Sequence, residues 1–383
     1  MAVNDIPDGA VPAAASLAAT RLPLESARTL PAAFYTSPAV LQIEQKALFP
    51  AMWLCIGREE DAANPGDFFT VDIGDERILV VRGKDAVVRA FFNVCRHRGA
   101  RLVDEPCGQG RTRLSCPYHA WTYGLDGKLV AAPFMEGQIA LDEFPLLDVR
   151  LDTWGGFLFV NLDGAAPALD EYLADLPDIA RYKLNTLRRG HRIRYQLNAN
   201  WKIVCENYSE CYHCALVHPQ LNRLSPFVNE GGLLKGNCFN GGPMELREGV
   251  GTLSTTGEPR HPPIAGLTEE DHRLVHYFVI YPNLLLGLHP DYVLVHTAMP
   301  QSAGRTRVVC DWLFTEEALA EPDFDPSEAV DFWDVTNRQD WGLCERVQRG
   351  AGSRAYRPGP YQQTEACVHE FDRWYAEAMS ALL

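Results

Sequence analysis

Two pairs of cysteine and histidine lie close together in the sequence. Cys95-Arg96-His97 is followed, after eighteen residues, by Cys116-Pro117-Tyr118-His119. Two thiolates and two imidazoles can form a structural zinc site, or a [2Fe–2S] cluster in which two cysteines bind one iron and two histidines bind the other. In zinc fingers the histidine pair follows the cysteine pair, whereas here each segment supplies one residue of each type. This alternation favours the iron–sulfur cluster.

A second group of metal-binding residue types begins at Asn207 and includes Glu210, His213 and His218. If this segment is a helix that ends before Pro219, Asn207, Glu210 and His213 face one region. The two histidines are five residues apart, so they can share a metal only where the helix unwinds or bulges. Two imidazoles and one carboxylate form the facial triad of non-heme Fe(II) oxygenases, which keeps coordination positions open. Glu210 is a nearby carboxylate, and the residues alone do not decide whether it is the ligand.

The segments around the first group have the pattern of short strands. From Phe68 apolar residues recur at every second position, and the pairs Gly74-Asp75 and Asp126-Gly127 provide turn signals. The pattern predicts an all-β domain over residues 50–162.

The rest of the chain is predicted to be α+β, with an antiparallel sheet of the helix-grip type over residues 163–383. Residues 1–49 are predicted to be an N-terminal arm and a helix that packs on this C-terminal domain, with Ser37-Pro38 as the helix start. Strands are expected over 274–288, 292–299 and 307–314, and helices from 325 to about 347 and near 364–383.

Charge and hydropathy exclude several classes of partner. The net charge of −15 argues against a nucleic-acid partner, because such proteins present a basic face. No apolar run approaches the ~20 residues that span a bilayer, and the acidic N-terminus lacks a secretory signal. We therefore expect a cytoplasmic protein without a membrane partner.

The eleven cysteines are expected to be thiols or metal ligands and not disulfides, because the cytosol is reducing. A thiolate site at Cys205, Cys211 and Cys214 is a weaker alternative, since sulfur ligands would compete with the histidine–carboxylate set.

With their neighbours, the two groups resemble the metal motifs of Rieske non-heme iron oxygenases. Residues 95–99 and 116–123 are similar to the two loops of a Rieske [2Fe–2S] domain, and 207–218 is similar to the mononuclear iron motif. Residues 337–348 are similar to the region of the third iron ligand. The resemblance implies that the cluster is held by Cys95, His97, Cys116 and His119, and Fe(II) by His213, His218 and Asp340.

The resemblance also assigns roles to the remaining motif residues and implies partners. Glu210 is then a bridge for electrons and not a ligand, with Asn207 beside it in the same motif. A separate flavin and iron–sulfur reductase supplies electrons from NAD(P)H to the cluster. The electrons cross a subunit boundary through His119, Glu210 and His213, and O₂ is the co-substrate. Such head-to-tail contacts close into a ring, so we expect a homotrimer.

The substrate prediction depends mainly on Glu210, since family members that hydroxylate aromatic rings usually have aspartate at the bridge. Glutamate here, together with Tyr281–Tyr292, resembles the branch that acts on glycine betaine, carnitine and choline. The resemblance implies a monooxygenase that hydroxylates and removes an N-methyl group. The alternative is hydroxylation of an aromatic or other apolar molecule, with dioxygenation possible. A quaternary ammonium group needs aromatic faces. The candidates are Phe278, Tyr281, Tyr292, Trp312 and Trp341, but each fits the apolar core better, so the sequence assigns none of them to a cation box.

Overall fold

The computed structural model describes residues 11–227 and 232–383, and the chain divides into two compact units. One unit is Phe49–Leu169, and the other combines the residues before Phe49 with Asp170–Leu383. Along the described residues no helix is both long enough and apolar enough to cross a membrane.

The described N-terminal residues belong to the large unit. A 3₁₀ turn, Ala14–Leu17, is followed by a segment whose Ala27 and Leu30 side chains are fully buried. Residues 11–34 are therefore packed, because they contribute apolar side chains to the core, whereas the first part of the predicted arm, residues 1–10, lies outside the described residues.

The predicted start of the first long helical segment is present. Helix α1 (Ala33–Thr36) precedes α2 (Pro38–Ile43), and the Ser37 side chain accepts a hydrogen bond from the Val40 amide. Pro38 occupies the first helical turn, where its missing N–H costs nothing. A π-helical turn, Glu44–Leu48, continues the segment.

The small unit is built almost entirely of antiparallel strands, as the alternation from Phe68 predicts. Its strands form a seven-stranded sheet with the order β1-β10-β9-β4-β3-β2-β5 and a three-stranded sheet with the order β6-β7-β8. The described elements are α3 (Phe49–Ala51), β1 (Leu54–Arg58), a 3₁₀ turn (Glu59–Ala62), β2 (Phe68–Ile73), β3 (Glu76–Arg82), β4 (Val88–Phe92), β5 (Cys107–Gly108), β6 (Leu114–Ser115), β7 (Thr122–Tyr123), β8 (Leu129–Ala131), a 3₁₀ turn (Leu141–Glu143), β9 (Asp148–Trp154) and β10 (Phe157–Asn161).

The large unit combines a seven-stranded antiparallel sheet, of order β11-β17-β16-β15-β14-β13-β12, with helices. The predicted α+β class is therefore confirmed. Its strands are β11 (Arg188–Leu197), β12 (Leu234–Lys235), β13 (Phe239–Glu245), β14 (Leu274–Ile280), β15 (Leu284–Leu288), β16 (Val293–Ser302) and β17 (Arg305–Phe314). Its described helices are α4 (Leu169–Tyr172), α5 (Trp201–Tyr208), α6 (Cys214–Val217), α7 (Pro219–Leu224), α8 (Glu316–Leu319), α9 (Ser327–Ala351) and α10 (Ala366–Ser380), with 3₁₀ turns at Ala180–Tyr182, Asp271–Arg273 and Gln363–Glu365.

A buried ion pair fixes the N-terminal segment against α5. The Lys202 Nζ lies 2.6 Å from the Glu44 carboxylate, and both side chains are fully buried. The Trp201 indole and the Tyr375 hydroxyl also donate to Glu44. Because a buried charge is stable only when it is paired and hydrogen-bonded, this network joins three segments and holds α5, which leads into the second metal motif.

Candidate metal centres and cavity

The two cysteine–histidine loops of the small unit have the same backbone geometry. In the first, the Cys95 amide donates to the Ala100 carbonyl over 2.8 Å; in the second, the Cys116 amide donates to the Trp121 carbonyl over 2.8 Å. The fourth residue after each cysteine has positive φ, 73° at Gly99 and 55° at Ala120. Two copies of one turn therefore present the two pairs of donor atoms.

The four side chains of these loops converge. His97 Nδ1 and His119 Nδ1 are 3.2 Å apart, and both cysteines are buried. Burial is the largest cause that raises the pKa of Cys95, and nearby Cys116 raises it further. Burial, followed by the neighbouring His97, lowers the pKa of His119, so that its ring is a neutral donor at pH 7. Two thiols on one side and two facing imidazoles on the other fit a Rieske cluster.

The second motif is not one helix, so the prediction that Asn207, Glu210 and His213 share one helical face is wrong. Helix α5 ends at Tyr208, and α6 begins only at Cys214. The Ser209 hydroxyl donates to the Cys205 carbonyl over 2.7 Å, a side-chain bond at the C-terminal end of α5. The residues between the helices carry Glu210 and His213. His213 and His218 flank the single-turn helix α6, and the backbone leaves the helical conformation at His218, so the two histidines can meet.

His213, His218 and Asp340 lie together in the large unit. His213 Nε2 is 3.1 Å from both His218 Nε2 and Asp340 Oδ1, and His218 Nε2 is 2.8 Å from Asp340 Oδ1. Three donors at right angles around one iron, each at roughly 2.1 Å, would lie about 3.0 Å from one another. The triangle therefore fits a facial triad for iron. The chemistry of the donor set, two imidazoles and one carboxylate, agrees with this.

Hydrogen bonds hold the triad in place from two sides. The His213 Nδ1 bonds the Glu210 carboxylate over 2.5 Å, and the Asn207 amide donates to Asp340 over 3.3 Å. Burial opposes charge on His213, but the bonds to Asp340 and Glu210 outweigh it and raise its pKa to about 10. Burial would raise the pKa of Asp340, yet the two histidines lower it. In the metal-free chain the site therefore binds a proton that a metal must replace.

The prediction that the cysteines form no disulfide is wrong for two cysteines near the triad. Cys211 and Cys214 form a disulfide across the break between α5 and α6, because the turn brings the two side chains together. Ligand atoms of His213, Cys214 and His218 lie within 4.8 Å of one another. With its sulfur in the disulfide, Cys214 is not a thiolate ligand, while Cys205 is buried elsewhere and burial raises its thiol pKa far above the usual value.

A cavity of about 510 Å³ opens onto the triad. Its described aromatic lining is Tyr208, Phe227, Tyr277 and Trp333, and its acidic lining is Glu210 and Asp340. None of the five aromatic candidates, which the sequence did not assign to a cation box, lines it. Phe278 is one position away from Tyr277 in β14 and so points to the opposite face of the sheet.

The sequence did contain a signal for two of the missed residues. Trp333 and Thr336 precede Asp340 by seven and four positions in α9, which places all three on one helical face. Trp341, one of the five sequence candidates, is rotated by about 100° from Asp340. The helical spacing from Asp340 therefore indicates that Trp333 lies on the same face of α9.

Comparison with known proteins identifies the family. A model described as the Rieske [2Fe–2S] domain matches residues 52–145, and one described as the ring-hydroxylating alpha subunit, catalytic domain, matches residues 184–381. The chain belongs to the Rieske oxygenase alpha-subunit family. The first match assigns a [2Fe–2S] cluster to the small unit, and the second assigns a mononuclear iron to the large unit. The chain is accordingly an oxidoreductase.

Individual relatives are similar over nearly their whole length. The chain is 35% identical to the glycine betaine monooxygenase oxygenase subunit of Chromohalobacter salexigens, over 93% of this chain and 86% of the relative. It is 31% identical to the carnitine monooxygenase oxygenase subunit of Acinetobacter baumannii, over 86% of each. A solved structure of the quaternary ammonium Rieske monooxygenase CntA with L-carnitine has a TM-score of 0.77 at 26% identity, covering 95% of this chain and 98% of that chain.

Proposed function

We propose that the chain is the terminal oxygenase component of a Rieske system that hydroxylates an N-methyl group of a small quaternary amine. The observation that carries the proposal is the cavity, which has the histidine–carboxylate triad beside a cluster of aromatic rings. Both named relatives act on trimethylated amines. The hydroxylated methyl group would then leave as formaldehyde.

The aromatic lining suits a permanent cation. The rings of Tyr208 and Tyr277 are 6.0 Å apart, those of Tyr277 and Trp333 are 6.4 Å apart, and each pair is steeply inclined. The Trp333 indole donates to the Tyr292 hydroxyl over 2.7 Å, which fixes its orientation. A quaternary ammonium group lying within ~6 Å of such rings gains cation–π energy that a neutral ring substrate does not.

The charge of the lining agrees with a cationic substrate. Glu210 and Asp340 are both in the wall, and the described lining residues include neither lysine nor arginine. The two carboxylates would offset the two charges of a bound ferrous ion. A cation therefore enters this cavity without meeting a fixed positive side chain.

We assign the metal ligands as the sequence predicted them. Cys95, His97, Cys116 and His119 would hold the cluster, and His213, His218 and Asp340 would hold Fe(II), which supplies the site where O₂ and substrate react. Glu210 would connect the two centres, because its carboxylate already holds the His213 Nδ1. Asn207 would act beside it by fixing Asp340 through its amide.

A neighbouring subunit would complete the electron path. Tyr212 and Leu216, on either side of His213, are 53% and 91% exposed, respectively, so they are accessible to a neighbouring subunit. We propose that the small unit of the next subunit covers them in a closed trimer and brings its His119 to Glu210. The electrons would come from NAD(P)H through a separate reductase, in the cytoplasm.

The bridge role is tested with Glu210→Gln. We expect both metals to be retained, because the residue is not a ligand, while oxidation of the reduced cluster by O₂ and substrate slows strongly. Rapid-mixing absorbance of the cluster measures this step. Full turnover coupled to the reductase in this variant would show that electrons take another path.

The substrate class is tested with a panel of quaternary amines and aromatic compounds, supplied with a surrogate reductase and NADH. We expect formaldehyde from at least one trimethylated amine. Replacing Trp333 with leucine should raise the KM for that amine more than it lowers kcat, because the ring binds the cation and does not react. Product from an aromatic compound, with no formaldehyde from any amine, would favour the ring-hydroxylating alternative.

A further inference from the structure

The two histidines of the triad are supported by different kinds of acceptor. His213 Nδ1 bonds the charged carboxylate of Glu210 over 2.5 Å. His218 Nδ1 instead lies 2.7 Å from the side-chain amide oxygen of Gln339. The His218 ring is almost completely buried, so water does not replace this contact. The side-chain amide of Gln339 could present either its oxygen as an acceptor or its nitrogen as a donor, so its orientation has to be established.

A chain of hydrogen bonds fixes which end of the amide faces the histidine. The Thr336 hydroxyl donates to the Phe332 carbonyl over 3.0 Å, and a carbonyl can only accept. The hydroxyl has thus used its one proton, so it accepts from Gln220, whose Nε2 lies 3.2 Å away. The same Nε2 donates to Gln339 Oε1 over 2.9 Å.

This chain determines the tautomer of His218. Since Gln339 presents oxygen towards both Gln220 and His218, the imidazole must donate from Nδ1. When the ring is neutral, as a metal ligand must be, its Nε2 then carries the lone pair, and Nε2 is the atom that faces His213 Nε2 and Asp340 Oδ1 at 3.1 and 2.8 Å. A metal ligand needs that lone pair, and the partner of the other ring nitrogen sets where it is.

We propose that Gln339 is a positioning residue for iron, oriented by Gln220 and Thr336, that holds His218 in the Nδ1–H tautomer. The inference rests on the proposed iron site. Gln339 does not touch the metal or the substrate and acts through His218 alone. As a neutral acceptor it fixes the tautomer without adding a third carboxylate to a site that already has Glu210 and Asp340.

The test measures how tightly Fe(II) binds to variants with different side chains at position 339. Co(II) serves as a spectroscopic probe of the same site. Each variant is the full chain with its cluster intact and its mononuclear site freed of metal. We expect Gln339→Leu to weaken Fe(II) binding by about 10- to 100-fold, the usual effect of losing such a support. Gln339→Glu, which is also an acceptor, should bind Fe(II) within a few-fold of the unchanged protein. Gln220→Leu should weaken binding less than Gln339→Leu, because the amide then becomes free to turn.

Gln348→Leu is the matched control. Gln348 is on the same helix and also makes two hydrogen bonds, to the Asn200 amide and the Tyr35 carbonyl, but it does not contact the triad. It should change thermal stability without changing Fe(II) affinity or the Co(II) spectrum. The proposal is overturned if Gln339→Leu binds Fe(II) as the unchanged protein does, or if Gln339→Glu loses binding as severely as leucine.

The readout separates this inference from the proposed function. Metal affinity and the Co(II) spectrum need no substrate, so a failure to find a quaternary amine substrate leaves this test valid. Conversely, if Gln339→Leu binds Fe(II) normally, Gln339 is not a positioning residue for iron. Formaldehyde release then still tests the proposed function. If the leucine variant does not fold, the glutamate and Gln220→Leu variants decide.

Discussion

The two proposed metal centres of this chain are built in opposite ways. In the small unit the four donor residues fall within residues 95–119 and are presented by two copies of one turn. In the large unit the three donors come from a break between helices and from α9, 122 residues after His218. The first centre depends on local backbone geometry, whereas the second depends on tertiary packing and on side chains such as Glu210 that touch the ligands.

The largest expected difference comes from removing the distant ligand. Asp340→Ala should lose the mononuclear iron and reduce turnover to background, while the visible spectrum of the Rieske cluster stays unchanged. The measured iron content should fall from three iron atoms per chain to two. Asp331→Ala, an exposed residue of the same helix, is the control and should keep both. Loss of the cluster in Asp340→Ala would contradict the independence of the two centres.

The packing that supports the second centre can be broken without touching a ligand. Lys202→Met leaves the Glu44 carboxylate buried without its cation, which should cost about 3–5 kcal/mol of the stability of the large unit. Denaturant unfolding followed by near-UV circular dichroism measures the loss.

The matched control for Lys202 is an exposed ion pair. Arg338 and Asp334 form a contact of 2.8 Å, with the Arg338 side chain 65% exposed. Arg338→Met should therefore change stability by less than about 1 kcal/mol. Equal losses in the two methionine variants would show that burial of the Lys202 pair is not what stabilises α5.

The next largest expected difference between the two centres is the pH dependence of metal binding. With a His213 pKa of about 10 in the metal-free chain, the histidine is protonated at pH 6–8, so Fe(II) binding releases one proton. Affinity should therefore rise about tenfold for each pH unit over this range, or about 1.4 kcal/mol per unit. Chelator competition at three pH values measures it, after correction for the chelator's own protons. A flat profile would contradict the protonated site.

An assembled cluster should not share this dependence. Burial lowers the pKa of His119, so above pH 7 its ring is neutral, and the thiol proton of Cys95 has already been displaced when the cluster forms. The visible absorbance of the cluster should stay constant between pH 7 and 8, while Fe(II) affinity at the triad rises.

The smallest expected effects test whether the two loops of the small unit are equivalent. Ala120 has φ of 55°, which a side chain disfavours, so Ala120→Gly should stabilise the unit by about 0.5–1 kcal/mol. Gly99→Ala should destabilise it by a similar amount, because a Cβ there meets nothing within 4 Å and the cost is backbone strain alone. Thermal unfolding followed by cluster absorbance measures both. If both variants shift the unfolding temperature in the same direction, the two turns are not equivalent.

This contrast also explains what the sequence could predict. Strands such as β2 follow from apolar alternation, and the cluster motif from spacing within one short segment, because both depend on neighbours in the chain. The break after Tyr208 could not be predicted, since no glycine or proline marks it in residues 207–214 and helix periodicity continues across it. The disulfide between Cys211 and Cys214 depends on the same break. The aromatic lining could not be assigned from the sequence, because it depends on which faces of β14 and α9 are turned towards the cavity.

The most direct test of the account is a single turnover without any reductase. The protein with cluster and Fe(II) loaded is chemically reduced, freed of reductant and mixed with O₂ and a quaternary amine that the panel identifies. The account predicts formaldehyde approaching one per mononuclear iron, oxidation of the cluster in the same time, and neither in Asp340→Ala. Cluster oxidation that is equally fast in Asp340→Ala, or formaldehyde in that variant, would contradict the account.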